Sequence, residues 1–232
     1  MTFSEIERNF IIMFNIEIFL SSLMWFVYLL FSYSLLSQIF LNLKRKKLSG
    51  MDSNFLLLTF VLQIILCLYS YLQDLPLVYK VMNPIYLFLI LILFGQRFYF
   101  LKSKKNRRKF LHDISRNLFF MGLVLIFFSF SPFKKDMIGW LFVGINALKN
   151  SLQAFKIYSR KSVRGLSFSF LMMTTFSYFI EMILALLMGL PIQIIFNDFK
   201  SIFIYCIMLC MYNVYKNKKN KEVKEKEVSL YA

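Results

Sequence analysis

Histidine occurs once in this chain, cysteine three times, proline four times and glycine seven times, and 12 acidic residues face 28 lysines and arginines. The single His112, beside a basic loop, cannot build a metal site alone or act as both base and ligand. Cys67, Cys206 and Cys210 all fall inside apolar runs. Cys206 and Cys210 stand one helical turn apart, but with no His or third Cys nearby they read as small buried apolar residues, not a metal pair. No phosphate-cradling glycine loop, His-Glu-x-x-His pattern or nucleophile elbow occurs. The sequence therefore offers no catalytic residue, no metal site and no cofactor site, and an enzyme is not expected. Met1–Phe10 carries Glu5 and Glu7 where a cleavable signal peptide would be basic.

Apolar residues, by contrast, are in excess. The 232 residues are 59% hydrophobic and 19% aromatic, with a mean hydropathy of +0.61. A soluble domain of this length has too little interior to hide that surface. Several runs approach the ~20 apolar residues that cross a bilayer, so the chain reads as an all-α, multi-pass membrane protein with the lipid bilayer as its first partner. The net charge of +16 does not point to nucleic acid, because the charges lie in short clusters between apolar runs. Of the 28 basic residues, 22 fall in Lys44–Lys47, Arg97–Arg116, Lys156–Arg164 and Lys216–Lys226. The positive-inside rule then puts the N-terminus lumenal or outside and the C-terminus cytoplasmic.

Seven spans are expected: Ile16–Leu43, Ser53–Leu72, Val81–Leu101 opening on Asn83-Pro84, Ile114–Phe130, Met137–Tyr158, Leu166–Met188 and Phe199–Tyr215. The Lys/Glu tail after Tyr215 reads as solvated and mobile. Shifting the sequence by 115 positions lays Gln38 on Gln153, Lys46 on Lys161, Gly50 on Gly165, Phe55 on Phe170, Leu56 on Leu171 and Thr59 on Thr174. Asn83 and Asn197 correspond with a slip of one residue. The organisation expected is an N-terminal segment (1–15), a three-helix repeat (16–101), a basic loop and connector helix (102–136), a second three-helix repeat (137–215) and a tail (216–232). Both triplets would share one orientation, with a site at their interface near the midplane.

The run Trp140–Gly165 carries Asn146, Lys149, Asn150 and Gln153 at i, i+3, i+4 and i+7, one polar stripe on an apolar helix. An ammonium at that depth is expected to face a protein interior or a wet cavity. Lys149, Asn146, Asn150, Gln153 and the repeat partner Gln38 are therefore the candidate solute-facing residues. Two structural alternatives stand beside this: Lys149 paired with Glu181 on the next span, and the two glutamines as hydrogen-bonding glue between helices. Gly50 and Gly165 read as turn glycines, and Thr59, Thr174 and Glu181 as structural or gating positions.

The segments SLLSQIFLNLKRKKLSGMDSNFLLL and NSLQAFKIYSRKSVRGLSFSFLM resemble the two motifs of the PQ-loop repeat family, which includes cystinosin and whose architecture the sugar-transporting SWEET proteins share. Leu75-Pro76-Leu77, Asn83-Pro84-Ile85 and Asn197-Asp198-Phe199 are most similar to the branch of the mannose-P-dolichol utilization defect 1 protein and PQ-loop repeat-containing protein 3. The resemblance implies an endomembrane transporter that moves a small polar solute, a sugar or amino acid, by alternating access. The alternatives it leaves are an ER membrane factor for dolichol-linked sugars, whose partner is a lipid-linked sugar, and a seven-helix retrieval receptor. Gln96 and Tyr99 resemble a family Gln-x-x-Tyr feature. Two departures stand out: Ser37 and Leu152 replace the family's hinge proline, and Thr174 stands where proton-coupled members carry an acid. The oligomeric state is left open.

Overall fold

A computed structural model of the chain describes residues 3–46, 53–101, 134–163 and 166–231, with isolated positions between 107 and 122. All the regular structure among them is helical: α1 (Phe3–Arg45), α2 (Ser53–Leu72), α3 (Leu77–Phe100), α4 (Lys134–Arg160), α5 (Phe168–Leu187) and α6 (Ile192–Tyr231). The expected connector span, Ile114–Phe130, and both Gly50 and Gly165 fall largely or wholly outside the described residues.

Among the described residues five helices are long and apolar enough to cross a membrane: Asn15–Arg45, Asn54–Leu72, Leu77–Phe100, Phe168–Leu187 and Ile192–Lys216. Large apolar side chains such as Phe19, Phe88, Phe199 and Phe203 line their outer faces, as a hydrocarbon solvent requires. The chain is a multi-pass membrane protein. α4, expected as a span, does not meet the composition of one, because its polar stripe and its charged ends lower its hydropathy. Its 27 residues still reach about 40 Å, enough to run the depth of the bundle between α2 and α6.

Packing joins α1 to α3 and α5, α2 to α3 and α4, and α6 to α4 and α5. Exchanging α1, α2, α3 for α4, α5, α6 maps this packing pattern onto itself. The turns repeat as well. At the α2–α3 turn Leu75 N–H donates to Ser70 O at 3.0 Å, Tyr79 N–H donates to Pro76 O at 2.9 Å, and Asp74 adopts φ +49°. At the α5–α6 turn Leu190 N–H donates to Ala185 O and Ile194 N–H to Pro191 O, both at 2.9 Å, with Gly189 at φ +62°. Each is a helix stop in which one left-handed residue lets the next amide reach back to a free carbonyl. At the opposite, basic end, Lys46 (φ +48°) and Lys161 (φ +45°) close α1 and α4, bonding Leu43 O and Tyr158 O at 3.2 Å. Every one of these pairs is 115 positions apart.

Three expectations change here. α3 starts at Leu77, directly after Pro76, so Pro84 lies inside the helix and not in its first turn. Its missing N–H leaves Lys80 O without a helical donor, and Gln63 Nε2 of α2 braces the adjacent residue, donating to both Asn83 O and Asn83 Oδ1 at 3.0 Å. α6 starts at Ile192, seven residues before the expected Phe199, and continues through the Lys/Glu tail, whose residues are good helix formers. Cys206 and Cys210 are exposed on α6 and Cys67 is half-buried, so the cysteines are not core residues; on a membrane helix the apolar solvent is outside.

Two apolar cores form. One gathers Met24, Val27, Ile65, Tyr69, Val78 and Phe142 toward the turn end, and the other Leu35, Phe55, Ile90, Leu93, Leu171 and Met208 toward the basic end. Between them lies a layer of buried polar side chains.

Candidate functional site

All six helices contribute to a cavity in that layer, with about 660 Å³ of atom-free space, part of it open to solvent. Its polar lining is Thr59 and Gln63 from α2, Asn83 from α3, Asn146 and Lys149 from α4, Glu181 from α5 and Asn197 and Asp198 from α6. Tyr28, Tyr79, Tyr86 and Tyr178 supply aromatic walls. A smaller cavity, about 330 Å³, lies toward the basic core and shares Thr59, Tyr86, Lys149 and Tyr178 with the larger one. Lys149 thus stands at the neck between them.

The amides form a relay. Asn150 Nδ2 donates to Asn146 Oδ1 at 3.3 Å, Asn146 Nδ2 donates to Asn197 Oδ1 at 2.6 Å and to Ser201 Oγ at 3.1 Å, and Asn197 Nδ2 donates to Asp198 Oδ1 at 3.2 Å. The relay stops there, since Asp198 Oδ2 is buried with no hydrogen-bond partner among the described residues. Tyr28 OH donates to Glu181 Oε1 at 3.3 Å. Lys149 is 5% exposed. Among the described residues its ammonium makes no hydrogen bond or ion pair, and it lies 5.4 Å over the Phe55 ring. The alternative of a Lys149–Glu181 pair is therefore not what is found: Glu181 turns to Tyr28 instead.

Of the five expected solute-facing residues, Asn146 and Lys149 line the larger cavity. Asn150 sits behind Asn146 in the relay, and Gln153, also buried, does not line it. Gln38 belongs to a separate network at the basic end. Its Oε1 accepts from Ser167 N–H at 3.0 Å, its Nε2 donates to Asn42 Oδ1 at 2.9 Å, and Asn42 Nδ2 donates to Gln96 Oε1 at 3.3 Å. That network ties α1 to α3 and to the start of α5, where Ser167 caps the helix by accepting from Phe170 N–H. Tyr99, the companion of Gln96 in the sequence pattern, is exposed. Of the expected structural positions, Glu181 and Thr59 line the larger cavity, while Thr174 lines the smaller and donates to Ser34 Oγ at 3.1 Å.

At the turn end a second network crosses between the triplets. Tyr69 OH of α2 donates to Gln193 Oε1 of α6 at 3.4 Å, and Gln193 Nε2 donates to Asp136 Oδ1 of α4 at 3.3 Å. Gly139 lets α4 approach this closely: a Cβ there would sit 2.9 Å from Gln193 Cγ and 3.0 Å from the Tyr69 ring.

Sequence reading missed Gln63, Asp198 and the tyrosines as lining residues. The tyrosines are scattered singly through apolar helices and carry no pattern. Asp198 had a signal: Asn83 and Asp198 both lie seven residues after the proline of their matched turns. The gapless register therefore pairs Asn83 with Asp198, and the one-residue slip to Asn197 is not needed.

Residues 137–194 match the family model described as PQ loop repeat. No curated protein matches the chain in sequence. In fold it is similar to the 3.7 Å structure of a eukaryotic SWEET transporter, with a TM-score of 0.57 and 15% identity over 83% of this chain and 99% of that one. The fold is thus SWEET-like, all-helical and membrane-embedded.

Proposed function

We propose that the protein is a PQ-loop-type transporter that moves a small polar solute through the central cavity. Residues 16–101 and 137–215 would act as two three-helix units rocking about the polar layer. The observation that carries this reading is the Lys149 ammonium, buried in a cavity between two apolar cores and paired with no anion among the described residues. Intramembrane charges of that kind mark solute paths. The Tyr69–Gln193–Asp136 and Gln38–Asn42–Gln96 networks stand at the two ends of the cavity, where gates would have to open in turn. The basic end would face the cytoplasm, following the positive-inside rule.

The test is flux of labelled amino acids and sugars into vesicles reconstituted with the full chain. Lys149→Ala should abolish flux while expression and melting temperature hold; unchanged flux would remove Lys149 from the path. A glycosylation defect on deletion, with no flux of any solute, would favour the factor for dolichol-linked sugars instead.

A further inference from the structure

The basic end of the bundle carries charge that the central cavity does not use. Lys44, Arg45 and Lys46 close α1, Arg160 and Lys161 close α4, and Lys216 stands on α6, all of them exposed. Among the described residues the acids lie elsewhere: Glu5 to Glu17 at the start of α1, Asp74 and Asp136 at the turn end, Glu181 and Asp198 in the interior, and Glu222 onward in the extension of α6. Like charges grouped in this way repel one another and attract a counter-charge from outside the chain.

One sector of the rim is built as well as charged. After α3 the chain folds back onto that helix. Phe110 is buried and stacks on Phe94 at 5.7 Å, and the Arg97 guanidinium lies 5.6 Å over the Phe110 ring. In return, the Arg107 guanidinium lies 5.3 Å over the Phe98 ring, and its Nε–H donates to Leu101 O at 2.7 Å. Each side thus gives the other one arginine and one ring, a reciprocal cation–π clamp. Residues 107–108, 110–112 and 114–116 are helical. Arg108 and His112, two positions either side of the anchored Phe110, therefore turn away from α3 and are exposed, as is Arg116 one turn farther on. The backbone that carries them is already held, so an anion binding there has only side chains to order.

The setting identifies the anion. Phosphate fits a guanidinium, whose paired N–H groups donate to two of its oxygens. It could arrive on a soluble molecule, on a nucleic acid or on a lipid. Phe40, Tyr99, Leu111 and Tyr158 stand exposed within about one helical turn of the basic residues. A membrane surface is the partner that presents phosphate immediately beside hydrocarbon. The cations also sit on the ends of several different helices, which a leaflet of headgroups meets together and one small anion does not.

We propose that the basic rim is a docking surface for anionic phospholipids of the surrounding leaflet, and that Arg108, His112 and Arg116 on the clamped segment after α3 form its headgroup site. Arg97 and Arg107 are positioning residues: they turn their charge to rings and hold the outward arginines in place for the lipid.

The experiment follows the melting temperature of the full chain in neutral detergent micelles titrated with phosphatidylserine, phosphatidylcholine, glycerophosphoserine (the same headgroup without chains) and a short RNA. Phosphatidylserine should raise it saturably and phosphatidylcholine should not, and raising salt from about 0.05 to about 0.5 M should weaken the response at least about tenfold. Arg108→Gln combined with Arg116→Gln should weaken phosphatidylserine binding at least about tenfold. Lys161→Gln combined with Lys216→Gln removes the same charge from the rim outside the clamped segment and should cost about threefold or less. Equal losses from the two pairs overturn the headgroup site. Should the arginine variants fail to fold, the ligands on the wild-type protein still decide. Equal stabilisation by phosphatidylcholine overturns the docking surface. Glycerophosphoserine binding as tightly as the lipid, or RNA binding more tightly, overturns the proposal in favour of a soluble phosphate or a nucleic acid.

Discussion

The first three helices and the last three share their turns and their packing partners, yet they divide the interior unequally. At the register of 115 positions, Lys149 faces Ser34, Glu181 faces Leu66, Asp198 faces Asn83 and Lys200 faces Ile85. Every ionisable group named in the polar layer comes from α4, α5 and α6, while α1, α2 and α3 supply amides, hydroxyls and aromatic rings. The neutral positions are satisfied: Ser34 bonds Phe31 O and Thr174, and Asn83 accepts from Gln63. Across the register, the two lysines and one oxygen of Asp198 are left without a hydrogen-bond partner among the described residues. Unpartnered neutral groups occur on both sides of the register, Ser32 Oγ and Tyr79 OH on one and Ser177 Oγ on the other, but the unpartnered charged groups of the polar layer lie in α4 and α6.

Exchanging mirror positions breaks or sharpens this contrast. The largest effect is expected from Lys149→Met, which should lower vesicle flux at least about a hundredfold, the scale of removing one charge-assisted hydrogen bond to a solute in a desolvated site. Ser34→Ala at the mirror position should stay within about threefold; equal losses from the two would mean that the halves do the same work. Next comes Asp198→Asn, which gives α6 the group α3 already carries. It should weaken solute affinity about tenfold, or about 1.4 kcal/mol, in a binding isotherm. The reverse swap, Asn83→Asp, should instead lower the melting temperature, because it adds a buried charge without a counter-charge.

Smaller still is Gly139→Ala. Its methyl group would press on Gln193 and Tyr69, costing about 1–3 kcal/mol of stability by overpacking, and a scanning melt should show it while Gly144→Ala, with open space around it, changes little. The least effect belongs to the turns. Gly189→Ala forces a side chain into a left-handed conformation for about 1 kcal/mol, whereas Asp74→Gly at the matched turn should be neutral or mildly stabilising. The same melt compares the two.

Much of this was legible in the residues. Ser53–Leu72 is a span in the sequence and a helix in the structure because Pro76 and the apolar run leave no other reading. The i, i+3, i+4, i+7 stripe of α4 is internal along its whole length. What periodicity cannot supply is depth: the stripe is longer than the cavity, so Asn146 and Lys149 reach the space while Gln153 runs on toward the basic end. The start of α6 was misplaced for a related reason. Gln193, Asn197 and Asp198 lower the hydropathy of its first turns because they serve the interior. In a membrane protein the residues that build a polar site are the ones that disguise the helix bearing them.

That disguise matters when the chain is made. Among the described residues five helices have the length and hydropathy of a membrane span by themselves, but α4 brings an ammonium and several amides and does not. Its polar side must be covered by neighbours, and those neighbours are α2, already synthesised, and α6, still to come. Membrane entry of α4 is therefore expected to be cooperative with α6, so a chain truncated before α6 should show weaker insertion of α4 than the full chain in a glycosylation-site insertion assay.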